Sequence, residues 1–336
     1  MSGSHRSAMR PVTVLISSVG RRSQLIQCFR EAFTELRVPG RIVGTDVCPG
    51  RAPAAHLVDK CLQVPRCDHP AFSGEIFRIA REEGVRLIVP TIDTELGFYA
   101  RNRLEFLRSG IFVGISDPDT VLIACDKQRT NHWLVANGFP TVRQDSPGAV
   151  LANKSQWELP LIMKPRFGSA SNGVSKISSF SELEAHNHSE LPFLVQEIAE
   201  GMEYTINVFV ENGRCVCAVP HSRIEARGGE VSKGQTSKNL KLIHLATEIA
   251  ERLPGARGAL NVQCFTDSQG TSKVIELNAR FGGGFPLANQ AGAKFPRWMI
   301  ESLLGLPSTA GGDWEDKLLM LRYDSAVFIH GVDARP

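Results

Sequence analysis

The chain has 336 residues, a formal net charge of +3, and ordinary shares of hydrophobic (42%) and charged (22%) residues. That length accommodates roughly two or three packed units, and so even a charge leaves no basic stripe to track a phosphate backbone, which argues against nucleic acid as the main partner. No apolar run approaches the ~20 residues that cross a bilayer, and "MSGSHRSAMR" lacks an apolar signal core, so the expectation is a cytoplasmic enzyme without a membrane partner.

The first elements alternate. "VTVLISSVGRR" reads as a buried strand from Val12 to Ser17 breaking into a glycine turn, and "SQLIQCFREAFTELR" follows with apolar residues at Leu25, Phe29, Ala32, Phe33 and Leu36. "RIVGTD" is a second strand, "AFSGEIFRIAREEG" a helix, "VRLIVPTID" another strand, and "IFVGIS" a fourth after the helical "ARNRLEFLRSG". Strand and helix in alternation predict an α/β domain with a doubly wound parallel sheet. Asp46 ends the second strand where dinucleotide folds place a ribose-binding acid, but the turn "SSVGRR" lacks GxGxxG, which argues against NAD. Ligands of such sheets sit beyond the carboxyl ends of the strands, so Arg21, Arg22, Asp46, Asp93 and Glu95 form a candidate small-molecule rim; the alternative for the acids is turn and helix capping.

Near residue 118 the texture changes. Helix Lys127 to Asn137 stops at Gly138, and strands follow ("LPLIMKP", "FLVQEI", "EYTINVFVENGRCVCAVP"), the last stretch holding two strands that turn at "ENG", an Asn-Gly hairpin signal. The eight cysteines, Cys28, Cys48, Cys61, Cys67, Cys125, Cys215, Cys217 and Cys264, form no CxxC pair and read as buried reduced thiols. His186 and His188 lie in a polar stretch without a cysteine or acidic ligand set, which argues against a metal there.

Several stretches carry chemistry. In "LIMKPRFGSASNGVSKI" a strand delivers Lys164 to a loop with Gly168, Ser169, Ser171 and Gly173, and a second strand departs from Val174; the loop is either a phosphate cradle or a plain hairpin. "VQEIAEGMEYTINVF" places Gln196 and Glu197 at a strand end and Glu203 after a glycine turn, able to meet a purine edge and ribose hydroxyls or to be an ordinary acidic turn. In "VIELNARFGGG", period two puts Glu276, Asn278 and Arg280 on one face, with Ile275, Leu277 and Ala279 toward the core. The strand "GALNVQCF" before it brings Asn261 and Gln263 beside the same wall. Oxygen ligands from Gln263, Glu276 and Asn278 suit magnesium, and Arg280 would offset charge on a transferring phosphoryl group; the alternative is a solvated polar face. "HSRIEARGGEVSKGQTSKN", from His221 to Asn239, is either a solvated loop or a mobile flap.

Lys127 after "ACD", Lys164 in "MKP", the small-residue loop, "QEIAEGMEYT", "NVQ" and "IELNARFGGG" stand in the order and approximate spacing of the ATP-grasp ligases, which the chain resembles over nearly its whole length. "VTVLISSVGRR", "VGTD", "VPTIDTEL" and "CDKQRT" look like the amino-terminal part of the carbamoyl-phosphate-synthase-like branch. The resemblance implies a pre-ATP-grasp domain over 1–118, a two-part α+β ATP-grasp domain over 119–312 (lid about 127–197, metal and substrate part about 198–312), and a carboxyl-terminal strand or extension over 313–336.

It also implies ATP and magnesium or manganese, with a small carboxylate (an amino acid or a related acid) joined to an amine through an acyl phosphate. Lys127 and Lys164 would bind the phosphates under the loop that contains Gly168, Ser169, Ala170, Ser171 and Gly173. Gln196, Glu197 and Ile198 would meet adenine and Glu203 the ribose, while Gln263, Glu276 and Asn278 hold the metal. Arg280 would steady the acyl phosphate, and Arg223, Arg227 and Lys233 would close a flap over ATP and the substrate carboxylate. Substrate would meet Arg21, Asp46, Asp93 and Glu95 and, beyond the metal strand, Gly283 and Gly284, where the glycines leave room for the acceptor. Two departures stand out: Gln263 where relatives often carry a carboxylate, and Asn207 where they often carry Asp. An inactive ATP-binding regulator, an ATP-grasp kinase and a carbamate-forming enzyme are the alternatives, and a homodimer is left open.

Overall fold

The structure, a computed structural model, describes residues 11–168, 172–186 and 192–331. It separates into two compact units. One comprises the described residues up to Gly114, Lys294–Thr309 and the described residues from Asp324; the other comprises Ile115–Ala293 and Ala310–Tyr323.

The first unit begins with β1 (Val12–Ile16), α1 (Ser23–Leu36), β2 (Gly40–Asp46), β3 (Lys60–Gln63), α2 (Phe72–Glu82), β4 (Val85–Val89), α3 (Asp93–Arg108) and β5 (Phe112–Val113). The strands form one parallel sheet in the order β3-β2-β1-β4-β5, the doubly wound arrangement expected from the alternation. β1 is buried along its whole length because helices cover both faces of such a sheet. The edge strand β3 escapes sequence reading, since "KCLQ" has no apolar run and is half-buried to exposed.

The second unit runs through α4 (Pro118–Ala124), α5 (Lys127–Ala136), β6 (Gln144–Asp145), α6 (Pro147–Ala152), β7 (Leu161–Pro165), β8 (Ser175–Ile177), α7 (Phe180–His186) and β9 (Phe193–Glu197). It continues with β10 (Met202–Glu211), β11 (Arg214–Arg227), β12 (Glu230–Thr236), α8 (Leu240–Arg252), β13 (Gly258–Thr266), β14 (Ser272–Asn278) and α9 (Phe285–Gln290). Helix α10 (Phe295–Leu304) then returns to the first unit, and β15 (Leu319–Leu321) closes the second.

A four-stranded sheet, β6-β9-β7-β8, packs Leu161, Met163, Ile177 and Val195 against Val150, Trp157 and Leu183. A six-stranded sheet, β14-β13-β10-β11-β12-β15, is covered by α8, which buries Leu242, Ala246, Ile249 and Ala250. α10 packs on α1 with Phe295, Trp298, Met299 and Ile300 buried, and Glu35 lies 3.3 Å from Lys294 Nζ and 3.4 Å from Arg297 Nη1. It is a core helix.

Two expectations need correction. The stretch from His221 is no irregular loop: it continues β11, turns at Gly228 and Gly229 and returns as β12, because its backbone groups pair from His221↔Thr236 to Arg227↔Glu230. β14 ends at Asn278, so Arg280 lies beyond the strand. A register shift opposite Gln263 and Cys264 breaks strict alternation, leaving Val274 buried and Ile275 only half-buried.

All eight cysteines are free thiols, but only Cys28, Cys217 and Cys264 are buried and Cys48 is exposed. Burial pushes each of those three thiols up to about 12. His186 ends α7, and His188 lies outside the described residues. Among the described residues no helix is long and apolar enough to cross a membrane.

Candidate active site

The site builds from a helix start. Asp126 caps α5, accepting hydrogen bonds from the Gln128 and Arg129 amides, and its carboxylate also takes a forked pair from Arg166 at 2.8 and 2.5 Å. Burial works against its ionisation, yet Arg166 and the amides hold its pKa below the usual carboxylate range. That clamp joins the start of α5 to the chain leaving β7, so Lys127 and Lys164 are held together. The Lys127 amide donates to Arg166 O at 3.2 Å, its ammonium donates to Gly168 O at 2.6 Å, and Glu276 Oε1 lies 3.9 Å from it.

Lys164, near the end of β7, is only 6% exposed. Burial lowers its pKa to about 8; Glu276 opposes the shift and Lys127 adds to it. Two cations and one carboxylate therefore converge, with one cation largely withdrawn from water. Gly173 packs its backbone against Pro165. Ser169, Ala170 and Ser171 lie outside the described residues.

On β13 and β14, Gln263 stands opposite Glu276 and Asn261 opposite Asn278. Asn278 is already engaged at both ends of its amide: Nδ2 donates to Asn261 Oδ1 at 3.1 Å, and Oδ1 accepts from Arg280 Nη2 at 3.0 Å. A second lone pair remains on that oxygen. The donor set is therefore one carboxylate and two amides, and among the described residues no cluster of three His, Cys, Asp or Glu side chains forms a metal site. It fits a hard cation that arrives with its own oxygen ligands.

Gln196 is buried, and its Oε1 has no hydrogen-bond partner among the described residues. The Glu197 carboxylate turns to Lys273 Nζ at 2.6 Å and its amide donates to Arg143 O, while Ile198 after it is exposed. Glu203, at the start of β10, lies 3.0 Å from Arg223 Nε as a charge contact without aligned hydrogen-bond geometry, and Arg223 Nη2 donates to Gly229 O at 3.1 Å. Lys233 pairs with Glu225 at 2.7 Å on the exposed side of the hairpin, and Arg227 beside the turn is exposed.

Sequence reasoning passed over Asp126, although a residue directly before a helix is a cap position, and it missed His221. The His221 ring is fully buried; burial, then Arg223 and Arg322, push its pKa down to about 3, so it is neutral at pH 7. Its Nδ1 lies 3.3 Å from Asn207 Nδ2, which gives Asn207 a role as the partner of a buried ring.

In the first unit, Asp46 accepts from the Gly20 amide at 3.0 Å and the Cys48 amide at 2.9 Å, bracing the loops after β1 and β2. Asp93 opens α3, Arg21 is exposed, and Arg22 donates to Thr91 O at 3.0 Å. Glu95 corrects the expected substrate rim. It is fully buried, with its carboxylate taken up by Ser17 Oγ (2.7 Å), Ser18 Oγ (2.8 Å) and the Thr91 (2.7 Å) and Ile92 (3.3 Å) amides. Burial raises its pKa against those bonds. It ties the loops after β1 and β4 to the first turn of α3 and offers no surface to a ligand.

Two family models match this chain: PylC-like, N-terminal domain over residues 14–113, and ATP-grasp in the biosynthetic pathway with Ter operon over residues 189–324. The chain carries an ATP-grasp domain. The biotin carboxylase domain of Hydrogenobacter thermophilus 2-oxoglutarate carboxylase, solved with MgADP and bicarbonate, superposes over 91% of this chain and 73% of its own, at TM-score 0.72 and 17% identity. An L-amino acid ligase from Bacillus licheniformis superposes over 89% of this chain and 75% of its own, with TM-score 0.66 and 19% identity. In sequence, the D-alanine–D-alanine ligase of Corynebacterium aurimucosum is 30% identical over 194 residues, 54% of this chain and 53% of the relative. The chain thus spans about half the length of that curated relative.

Proposed function

We propose that the protein is an ATP-dependent, ADP-forming carboxylate-amine ligase acting on small molecules, an amino acid or a related acid being the carboxylate. The observation that carries this is the convergence of Lys127, Lys164 and Glu276, with Glu276 Oε1 3.9 Å from Lys127 Nζ and the Lys164 ammonium buried beside them. The L-amino acid ligase fold and the D-alanine–D-alanine ligase likeness support the same class.

In this reading Lys127 and Lys164 hold the nucleotide phosphates, Gln196 and the Ile198 backbone meet the base, and Glu203 meets the ribose. Glu276 and Gln263, with the remaining lone pair of Asn278, hold magnesium or manganese, which supplies charge neutralisation at the phosphates. Arg280 faces the developing negative charge as the substrate carboxylate attacks the terminal phosphorus and ADP leaves. The amine then attacks the acyl carbon and phosphate departs. Arg223, Arg227 and Lys233, on the β11–β12 hairpin, would screen that acyl phosphate from water. Within the second unit, the backbone of the Gly283–Gly284 run, beside Arg280, is the proposed substrate contact.

ADP release with magnesium and pooled amino acids and small carboxylates tests the proposal. A pool that stimulates the native chain, with the stimulation falling roughly 100-fold or more in Glu276→Ala, is expected. Stimulation that survives Glu276→Ala would remove the assigned site, and product identification separates an amide from a phosphorylated compound or a carbamate.

Metal binding gives a second expectation. With a single carboxylate at the site, manganese titrated calorimetrically binds at least about 10-fold more tightly with ADP than without it, because the phosphates complete its oxygen shell. Equal affinities in the two titrations would contradict that donor set.

A further inference from the structure

The glycine run after the metal strand is built around the protein's own polar side chains. A Cβ at Gly282 would lie 3.2 Å from Asn261 Nδ2, at Gly283 2.7 Å from Glu230 Cδ, and at Gly284 2.6 Å from His221 Nε2. The expectation that the glycines leave room for an acceptor therefore does not hold on this side of the run. The space a side chain would take is filled by an amide, a carboxylate and an imidazole.

The carbonyls of the run are used as well. Phe285 N–H donates to Gly282 O and Leu287 N–H to Gly284 O, both at 3.1 Å. The Gly283 carbonyl accepts from Arg322 Nη2, while Arg322 Nη1 lies 3.4 Å from Glu230 Oε2. Arg322 follows β15, which pairs with β12 from Lys233↔Leu321 to Gln235↔Leu319, and its amide donates to Ser232 O at 2.9 Å. One guanidinium thus joins the last strand, the strand that begins the returning half of the hairpin, and the backbone just beyond Arg280. The buried His221 ring feels both the Arg223 and the Arg322 charge, which with burial keep it neutral.

We propose that Arg322 is a positioning residue: its fork to Gly283 O and Glu230 sets the Gly282–Gly284 run beside Arg280 and couples that run to the position of the β11–β12 hairpin. Only its catalytic consequence rests on the ligase reading above. A guanidinium spans both acceptors in one plane, whereas a lysine ammonium on its flexible stem reaches one without fixing the other.

The test uses the full chain with Arg322→Gln, Arg322→Lys and Glu230→Gln. Hydrogen exchange at Phe285 and Leu287, whose amides rest on the run, is read by fragment mass spectrometry beside ADP affinity and the kcat and KM of carboxylate-dependent ADP release. In Arg322→Gln, exchange at those amides rises about 10-fold or more, as expected for losing a charge-assisted bond, while ADP affinity stays within about 2-fold. kcat falls about 10-fold with the KM for ATP unchanged, Arg322→Lys lies between, and Glu230→Gln shows the smaller effect. Unchanged exchange in Arg322→Gln would overturn the proposal. So would faster exchange spread evenly over the chain with Arg322→Lys no better than Arg322→Gln, the mark of general destabilisation. If the native chain shows no carboxylate-dependent ADP release, the ligase reading fails separately, and the exchange comparison alone decides whether Arg322 holds the run.

Discussion

Lys164→Met is expected to weaken ADP and ATP binding about 10- to 100-fold and, with the opposite sign, to stabilise the nucleotide-free chain at neutral pH. The affinity loss is that of removing a charge-assisted contact to phosphate. The stability gain follows from burial, which holds the Lys164 pKa at about 8 against an ordinary 10.5. Because the folded form binds that proton less tightly than the unfolded chain, the penalty is present in full below about pH 8 and is relieved as pH rises toward 10.5. It amounts to roughly 3 kcal/mol as an upper figure. Nucleotide affinity runs the other way, weakening as pH rises through about 8 and the ammonium loses its charge. Calorimetric titrations with ADP from pH 7 to 9.5 and chemical denaturation of the free chain check both arms. Lys164→Arg, always charged, should flatten the pH dependence of binding. Unaltered affinity in Lys164→Met would remove the lysine from the phosphate site.

Gly201→Ala should cost about 3 kcal/mol or more in stability. Gly201 sits at φ +100 between β9 and β10, and an added Cβ would fall 2.0 Å from the Thr266 carbonyl oxygen and 2.7 Å from Asp267 Cα. Both obstacles are backbone, so no rotamer change relieves them, and the conformation is itself costly for an L side chain. Gly110→Ala separates the two causes: Gly110 has φ +75 with nothing within 4 Å of the added methyl, so only about 1 kcal/mol is expected. Since Met202↔Thr266 is the first rung of the β10–β13 pairing, the alanine should also displace Glu203 and weaken nucleotide binding. Urea denaturation of the two variants settles the matter; equal losses would mean that the turn shifts freely.

What was legible in the sequence was local. Period-two alternation placed Glu276 opposite the Gln263 wall, because a strand's side-chain direction is a property of neighbouring residues. Where a bulge entered, that reasoning slipped: Val274 took the buried place assigned to Ile275, and Arg280 fell outside β14. The charged, glycine-rich composition of the β11–β12 hairpin hid its strands, since strand pairing is satisfied by backbone groups whatever the side chains are. Glu95 looked like a rim acid because its position after β4 is right; its burial depends on Ser17 and Ser18, which lie 78 and 77 positions away.

By itself the sequence determined the alternation of strands and helices in the first unit, the strand that presents Glu276 and Asn278, and the lysines that begin α5 and end β7. Propensity, periodicity and capping act within a few residues and need no partner from afar. Tertiary structure alone decided that Lys164 is withdrawn from water, that His221 is neutral, that Glu95 is internal, and that Arg322 reaches Gly283 across 39 positions and Glu230 across 92. Desolvation and charge pairing depend on which distant segments the sheets bring together, and sheet pairing joins segments without regard to their separation along the chain.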